Sequence, residues 1–255
     1  MYLNDHSLWF SVQTIADNQL LLLQEFKFDN NRNKAQQLQS FFQKNELIQW
    51  DYRDVFVAIE SQQNSLLPTK LKNHAESVFI RENGEVNNGF ELFEENIAEL
   101  DGFSTSLFHT ELLKTIKELF PKAFITSSNA AWIKQSLIQG KINQNTLACI
   151  WLFPNGMHLN LVARDKLIFS NTFEVESTED ILYFLLFALD QLNITAKEIV
   201  VSLQGKSRFA VDEALIAEYV SVEKIQFQVE LPTSGTPSYS VLENQALLIH
   251  LALCV

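Results

Sequence analysis

The chain has 255 residues, 47% of them hydrophobic, and a formal net charge of −12. This composition predicts a substantial core and excludes nucleic acid as the main partner, because binding a phosphate backbone requires clustered Lys and Arg. The longest apolar run, Ile181 to Leu189, is much shorter than the ~20 residues that cross a bilayer, so no membrane span is expected.

The ends and the cysteines indicate a cytoplasmic protein. The opening segment MYLNDHSLWF has no basic region and no cleavage site, so no secretory signal is expected. Cys149 and Cys254 lack metal-ligand or redox spacing and are predicted to be small core residues. Only seven glycines are present, well below the usual share of about 7%, which leaves few for phosphate-binding loops.

The first half predicts strands, a turn and a helix in a definite order. These are a strand Leu8–Gln13, a turn at Asp17–Asn18, a strand Leu20–Phe28, a cap at Asn30, a helix Lys34–Lys44 and a strand in DVFVAIES.

The segment after Ser61 predicts mainly helices. We expect a loop and a helix with Pro68 near its start, a short strand in ELFEENIAEL, an amphipathic helix over FSTSLFHTELLKTIKELFP, a strand in KAFITSS and a helix capped by Gly140. The acidic run Glu91–Asp101 is predicted to be a solvated face; binding of a cation or a basic partner is the alternative.

The second half has the clearest pattern. Its predicted elements are strands at Thr146–Phe153, Met157–Ala163 and Lys166–Val175, a helix from Ser177 to about Leu192 with Asp180 as capping-box partner, and a strand Glu198–Leu203; a helix in VDEALIAEYV, a strand in KIQFQVEL and a helix Val241–Leu253 follow.

The two halves repeat one order of elements. Phe26 falls where Phe173 falls, and Ser61 stands where Gly205 stands. We therefore predict two lobes, 1–142 and 143–255, the first with a short first strand and a helical insertion.

The stretch VVSLQGKS ends in Gly205-Lys206-Ser207, as a phosphate-binding P-loop does. That loop would need its first glycine at Val200, which instead belongs to the apolar run Ile199-Val200-Val201. A strand followed by a turn at Gly205 is the prediction.

The doubled order of elements resembles the actin-like superfamily. KLIFSNTFEVESTEDILYFLLFALDQLNITAKEIVVSLQG is similar to the second lobe of the pilus-assembly actin-like proteins, and ENQALLIHLAL resembles their C-terminal helix. NSLLPTKL and FPKAFITSSNAAWI fit the layout of a bacterial family of unknown function with this architecture. The resemblance implies an α/β, duplicated ribonuclease H-like (actin-like ATPase superfamily) fold, with mixed sheets flanked by helices and a nucleotide cleft between the halves.

Active members of the superfamily hold nucleotide with three glycine-bearing elements. By the resemblance, the first phosphate loop lies at Leu3–Ser7, with Asp5 and Ser7 but no glycine. The second lies at Phe153–Gly156, with Asn155 and a single glycine, Gly156. The adenosine motif lies at Gln204–Lys206, with Gly205 alone where two glycines are usual. These departures imply that no cofactor is bound and that the cleft is degenerate; ATP binding is the alternative.

Other chemistry is poorly supported by the sequence. His109 and Glu111 are predicted to lie on one surface helix, where an acid–base pair is the alternative to a stray histidine. His158 is predicted to be a core or edge histidine. Asp5 and Asp165 lie in loops without evident partners, so a metal-dependent nuclease centre is not expected.

Three functional hypotheses remain open. The first is a non-catalytic actin-like scaffold that binds a protein partner through exposed aromatic residues. The second is a divergent nucleotide-binding ATPase or kinase-like enzyme that uses Asn155, Lys206 and Ser207 in place of backbone amides. The third is a homodimer formed by the long helices.

Overall fold

The computed structural model describes residues 1–16, 19–46, 50–61, 63–84, 86–143, 145–223, 247, 248 and 251. The first half contains, in chain order, β1 (Tyr2–Leu3), β2 (Ser7–Gln13), β3 (Leu20–Lys27), α1 (Lys34–Lys44), β4 (Phe56–Ile59), β5 (Asn64–Pro68), α2 (Ala75–Asn83), β6 (Phe90–Ile97), β7 (Gly102–His109), α3 (Thr110–Leu119), β8 (Phe124–Ser127) and α4 (Ser128–Ile142). The second half contains β9 (Thr146–Phe153), β10 (Gly156–Ala163), β11 (Lys166–Glu174), α5 (Thr178–Gln191), β12 (Ile199–Gly205), α6 (Glu213–Ala217) and β13 (Ser221–Glu223).

Two five-stranded sheets have equivalent strand orders. The first is β3-β2-β1-β4-β8, and the second is β11-β10-β9-β12-β13. In both, the three leading strands pair antiparallel and the last two add in parallel. The repeated order predicted from the sequence is therefore present, whereas the lobe limits 1–142 and 143–255 stay a prediction.

The central strands of the second sheet are buried on both faces. Ile150 and Leu152 of β9 pack toward α5 and α6, whereas Cys149 and Trp151 pack toward the first half of the chain. This two-sided burial explains why β9 is a continuous apolar run rather than an alternating one. Cys149 is a buried core residue, as predicted.

Side-chain caps fix where the two equivalent helices of the repeat, α1 and α5, begin. Ser177 and Asp180 form the predicted capping box of α5. In α1 the cap is Asn33, whose side chain accepts from the N–H of Gln36, so the prediction of Asn30 was wrong. An N-cap directly precedes the first helical residue, and Asn33 precedes Lys34, whereas Asn30 lies three residues further back.

The insertion after β4 contains a three-stranded sheet in addition to the predicted helix after Pro68, which is α2. Strands β5, β7 and β6 form a three-stranded antiparallel sheet in that order. The segment Phe103–His109, predicted as the start of a helix, instead belongs to the buried central strand β7, where a Ser-Thr-Ser run obscures the apolar pattern. Pro68 ends β5, an edge strand, which is a position that tolerates the missing N–H.

Helix α4 continues past Gly140, so the predicted C-cap was wrong. A Cβ atom at Gly140 would lie 2.3 Å from Cγ1 of Val162 and 2.4 Å from the carbonyl oxygen of Arg164. The glycine therefore permits close packing of α4 on β10, and the helix ends two residues later at Ile142.

The two five-stranded sheets share one apolar core. The Tyr2 ring meets the Trp151 ring edge-on at 5.8 Å, and Trp151 lies 5.7 Å from the Trp132 ring of α4. Leu247, Leu248 and Leu251, from the predicted last helix, are buried in the same cluster. The turn predicted at Asp17–Asn18, the strand KIQFQVEL, the rest of Val241–Leu253 and Cys254 lie outside the described residues.

Candidate functional site

The turn between β9 and β10 occupies the position predicted for the second phosphate loop. Pro154 and Asn155 form the turn, and β10 begins at Gly156. A Cβ atom at Gly156 would lie 2.3 Å from the carbonyl oxygen of Phe173 and 2.8 Å from the Phe153 ring. The close packing of this hairpin against β11 therefore accounts for the glycine.

The end of β12 occupies the position predicted for the adenosine motif. Gly205 has a φ of +84°, and a Cβ atom there would lie 2.1 Å from the carbonyl oxygen of Leu152. The N–H of Lys206 donates to that same oxygen at 3.0 Å. Anion cradles are built from free N–H groups. The N–H of Lys206 is not free, because it already donates to the neighbouring strand.

The structure brings these two predicted elements together. Arg208 Nε donates to the carbonyl oxygen of Pro154 at 2.9 Å, which ties the segment after β12 to the β9–β10 turn. A cavity of about 240 Å³ lies beside them. Its volume is below the ~300–1,000 Å³ usual for small-molecule sites. It is lined by Leu152, Leu203, Gln204, Gly205, Lys206, Ser207, Phe209, Val211, Glu213, Val222 and Glu223.

The turn between β1 and β2 occupies the position predicted for the first phosphate loop. Asn4 Oδ1 accepts from the N–H groups of His6 and Ser7 at 2.9 and 2.8 Å, so these donors are used within the turn. Asp5 is paired with Lys34 of α1, whose Nζ lies 2.7 Å from its carboxylate. This ion pair forms because α1 begins beside the turn.

A buried polar network joins the ends of the two sheets. Glu60 follows β4 in the first half, and one of its carboxylate oxygens accepts from the Tyr2 hydroxyl at 2.7 Å. Its other oxygen accepts from Nε2 of His158, in β10, at 3.0 Å. The side chains of Glu60 and His158 are almost wholly buried, so the hydrogen bond between them is shielded from water.

The network continues from His158 into the insertion. Nδ1 of His158 lies 2.8 Å from the Thr172 hydroxyl of β11. Asn64 of β5 donates to that hydroxyl oxygen at 3.0 Å and accepts from the Asn129 amide of α4 at 3.0 Å. Strands from both sheets and from the insertion are therefore joined by one chain of hydrogen bonds.

This arrangement does not match a nucleophilic triad. In a triad, the acid and the nucleophile meet opposite nitrogens of the histidine. Here Glu60 and the Ser128 hydroxyl both meet Nε2 of His158, at 3.0 and 3.2 Å. Ser128 is fully buried as well, so it presents no hydroxyl to a substrate.

The electrostatics of the network follow from its burial. Burial is the largest cause that raises the pKa of Tyr2 well above its ordinary value, and the charge and hydrogen bond of Glu60 raise it further. Tyr2 is therefore a neutral hydroxyl donor at physiological pH. The network is suited to holding the two sheets in one arrangement.

Comparison with known proteins identifies the family. Residues 1–218 match the model of a family described as "Protein of unknown function (DUF3822)". The chain belongs to the DUF3822 family. No curated protein matches this DUF3822 chain significantly in sequence.

Solved structures establish the fold of the DUF3822 protein. A Bacteroides thetaiotaomicron protein with an actin-like ATPase fold and unknown function is 18% identical over 97% of this chain and 93% of its own, with a TM-score of 0.78. A PilM–PilN type IV pilus biogenesis complex is 12% identical over 99% of this chain and 96% of its own, with a TM-score of 0.63. The predicted actin-like ATPase fold is confirmed.

The buried Glu60–His158 contact of the DUF3822 protein was missed by the sequence analysis. Glu60 stands at the end of a strand segment and His158 was predicted only as a core or edge histidine. In the structure His158 is fully buried in the core. The available signal was a carboxylate directly after the buried run Val57-Ala58-Ile59, where a charge needs a partner.

The predicted acidic face contains a carboxylate that is largely shielded from solvent, that of Glu95, whose side chain is 12% exposed. Glu95 of β6 accepts from the Thr126 hydroxyl at 2.7 Å and from the N–H of Ser127 at 2.8 Å. Lys134 lies 3.8 Å away. Burial raises the pKa of Glu95 above its ordinary value, although these hydrogen bonds and Lys134 oppose the shift. The prediction of a solvated face was therefore wrong at Glu95, because β6 packs this side chain against β8.

His109 and Glu111 do not form an acid–base pair. The prediction that both residues lie on one helix was wrong for His109, which ends β7 just before α3, and its ring contacts the Phe90 ring at 5.2 Å. Glu111 accepts from the Asn33 amide at 2.9 Å. Within the described residues no three His, Cys, Asp or Glu side chains group as metal ligands. No described helix is both long and apolar enough to cross a membrane.

Proposed function

We propose that this protein is a non-catalytic actin-like scaffold that acts through protein–protein contacts. The observation that carries the proposal is that backbone groups at the predicted nucleotide-binding positions are already engaged in contacts within the protein. Gly156 and Gly205 are required by close backbone packing, and the N–H of Lys206 donates to Leu152. An anion could use the N–H of Lys206 only if the bond from that N–H to Leu152 were broken.

The buried network supports the same proposal. Glu60 and His158 join the ends of the two sheets where actin-like enzymes have a nucleotide cleft, and a triphosphate beside Glu60 would meet a like charge. The PilM–PilN structure, which contains a fold similar to this one, is a complex between proteins. By fold analogy alone, a protein partner is the expected ligand here.

The proposal includes four further expectations from the sequence. The chain is placed in the cytoplasm, it takes no cofactor and no nucleic acid, and its lobes are 1–142 and 143–255. A homodimer through the long helices is the alternative mode of association. Sizing chromatography with light scattering distinguishes a monomer from that dimer.

The second candidate function is a divergent nucleotide-binding enzyme. The cavity of about 240 Å³ favours it, because Lys206 and Ser207 both line that space. The Ser207 hydroxyl, however, donates to the carbonyl oxygen of Phe209 at 2.5 Å.

Thermal unfolding of the full chain with and without ATP and magnesium tests the two candidates. A ligand that binds only the folded state at about 100 times its Kd adds about 2.7 kcal/mol to the free energy of unfolding. We expect no change in Tm. A rise that disappears in Lys206→Ala would support the enzyme instead.

A further inference from the structure

Helix α5 presents one aromatic stripe to solvent. Glu179, Tyr183, Phe187 and Asp190 are spaced by three or four residues and share a face, which we call the α5 stripe. Tyr183 is 61% exposed and Phe187 is 50% exposed, and their rings stack at 6.1 Å. Exposed aromatic pairs are costly to leave in water and are typical of protein interfaces.

The stripe is held rigidly from below. Phe184 of α5 stacks on Phe173 of β11 at 4.2 Å, and the capping box fixes the first turn of the helix. Ile181 and Leu185 are fully buried in the core beneath. Docking on this face would therefore cost little conformational entropy, because the aromatic residues are already positioned.

The charge around the stripe selects the partner. Helix α5 contains Glu179, Asp180 and Asp190 but no Lys or Arg. Within the described part of the chain, no ion pair involves Glu179 or Asp190. A cationic side chain would gain both from these carboxylates and from the ring faces of Tyr183 and Phe187.

We propose that the α5 stripe docks a protein segment that carries Lys or Arg beside aliphatic side chains. This assignment rests on the scaffold function proposed above and names the chemistry of its partner. A second copy of the chain is a poorer occupant, since a symmetric contact would bring the same carboxylates face to face. The net charge of −12 acts in the same direction by attracting basic partners over a distance.

A labelled amphipathic peptide of Leu and Lys, titrated into the full chain, tests the assignment by fluorescence anisotropy. The matched peptide has Glu in place of every Lys. We expect only the Lys peptide to bind. Two paired variants, Tyr183→Ala/Phe187→Ala and Glu179→Lys/Asp190→Lys, should each raise its Kd about tenfold. Tyr219→Ala, which removes another aromatic residue that is 49% exposed, should leave the Kd within about twofold.

Circular dichroism and urea unfolding establish that each variant is folded before binding is measured. The assignment is overturned if the Lys peptide does not bind, if it binds both paired variants as well as wild type, or if the Glu peptide binds equally. It is also overturned if wild type is a dimer that the aromatic variant dissociates. If ATP does not change Tm, any of these results contradicts the α5 assignment and leaves the proposed scaffold function intact. A rise in Tm with ATP contradicts the scaffold function itself.

Discussion

At Gly205 the backbone passes so close to β9 that a side chain has no room. This residue has a positive φ and would place a Cβ atom 2.1 Å from the carbonyl oxygen of Leu152. A glycine in an otherwise apolar strand sequence invites a ligand-binding interpretation. Here the contact between neighbouring strands is a sufficient reason for it.

Gly205→Ala is expected to lower the free energy of unfolding by about 2–5 kcal/mol, since backbone strain and steric overlap add. Gly89→Ala is the matched control, because Gly89 has a φ of +92° and a Cβ atom there would have no neighbour within 4 Å. The control should cost about 1–2 kcal/mol. Equal losses in urea unfolding would mean that close packing at Gly205 is unimportant.

Removal of one partner from the buried pair should be costly. Glu60→Ala removes the acceptor of the Tyr2 hydroxyl and one of the two partners of His158 Nε2, and we expect a loss of about 2–5 kcal/mol in urea unfolding, since an unsatisfied buried donor costs about 1–3 kcal/mol. Asp5→Ala, which breaks the solvent-exposed pair with Lys34, should cost no more than about 1 kcal/mol. A loss from Glu60→Ala as small as that of the control would show that the network contributes little to folding.

Glu95 should make stability depend on pH. Its pKa is raised in the folded state, so folding favours the protonated carboxyl, and this contribution is lost as the pH rises through the raised pKa. Relative to Glu95→Gln, wild type should therefore lose stability as the pH rises from about 4 toward neutral. Glu94→Gln changes an exposed neighbour and keeps Glu95, so its pH curve should run parallel to that of wild type. Chemical unfolding across that pH range measures the difference, and parallel curves for wild type and Glu95→Gln contradict it.

At the scale of elements, α5 illustrates how a local signal fixes a boundary. Ser177 accepts from the N–H of Asp180, and Asp180 accepts from the N–H of Ser177. These bonds satisfy donors at the helix start that have no partner inside the helix. The helix that carries the exposed stripe is thereby held at its first turn.

Ser177→Ala should cost about 1 kcal/mol, the usual value of a lost cap. Thr195→Ala is the control, because Thr195 precedes a short helical turn without making a side-chain cap. It should change the free energy of unfolding by less than about 0.5 kcal/mol. If both variants unfold at the same urea concentration, the capping box is not stabilising α5.

The elements differ in how far their sequences predict them. Strands β9 to β12 and helix α5 follow from apolar runs, turn residues and a capping box, all of which are local. β7 could not be predicted in this way, because its Ser104, Thr105 and Ser106 are buried only by the surrounding tertiary structure. The pairing of Glu60 with His158 likewise depends on a contact between residues far apart in the chain.

At the scale of the whole molecule, two sheets of equivalent order meet across a shared core and a buried polar network. Tyr2 takes part in both, through its ring contact with Trp151 and its hydrogen bond to Glu60. An actin-like nucleotide site requires a cleft at this meeting point. In the scaffold that we propose, the backbone groups at the cleft contact other parts of the protein and do not contact a nucleotide.

Hydrogen exchange of the full chain with and without ATP and magnesium tests this account most directly. Amide exchange reports protection residue by residue, so it distinguishes binding in the cleft from binding elsewhere. We predict unchanged exchange at the amides of Asn155, Gly156 and residues 205–207. Nucleotide-dependent protection of those two segments would contradict the account.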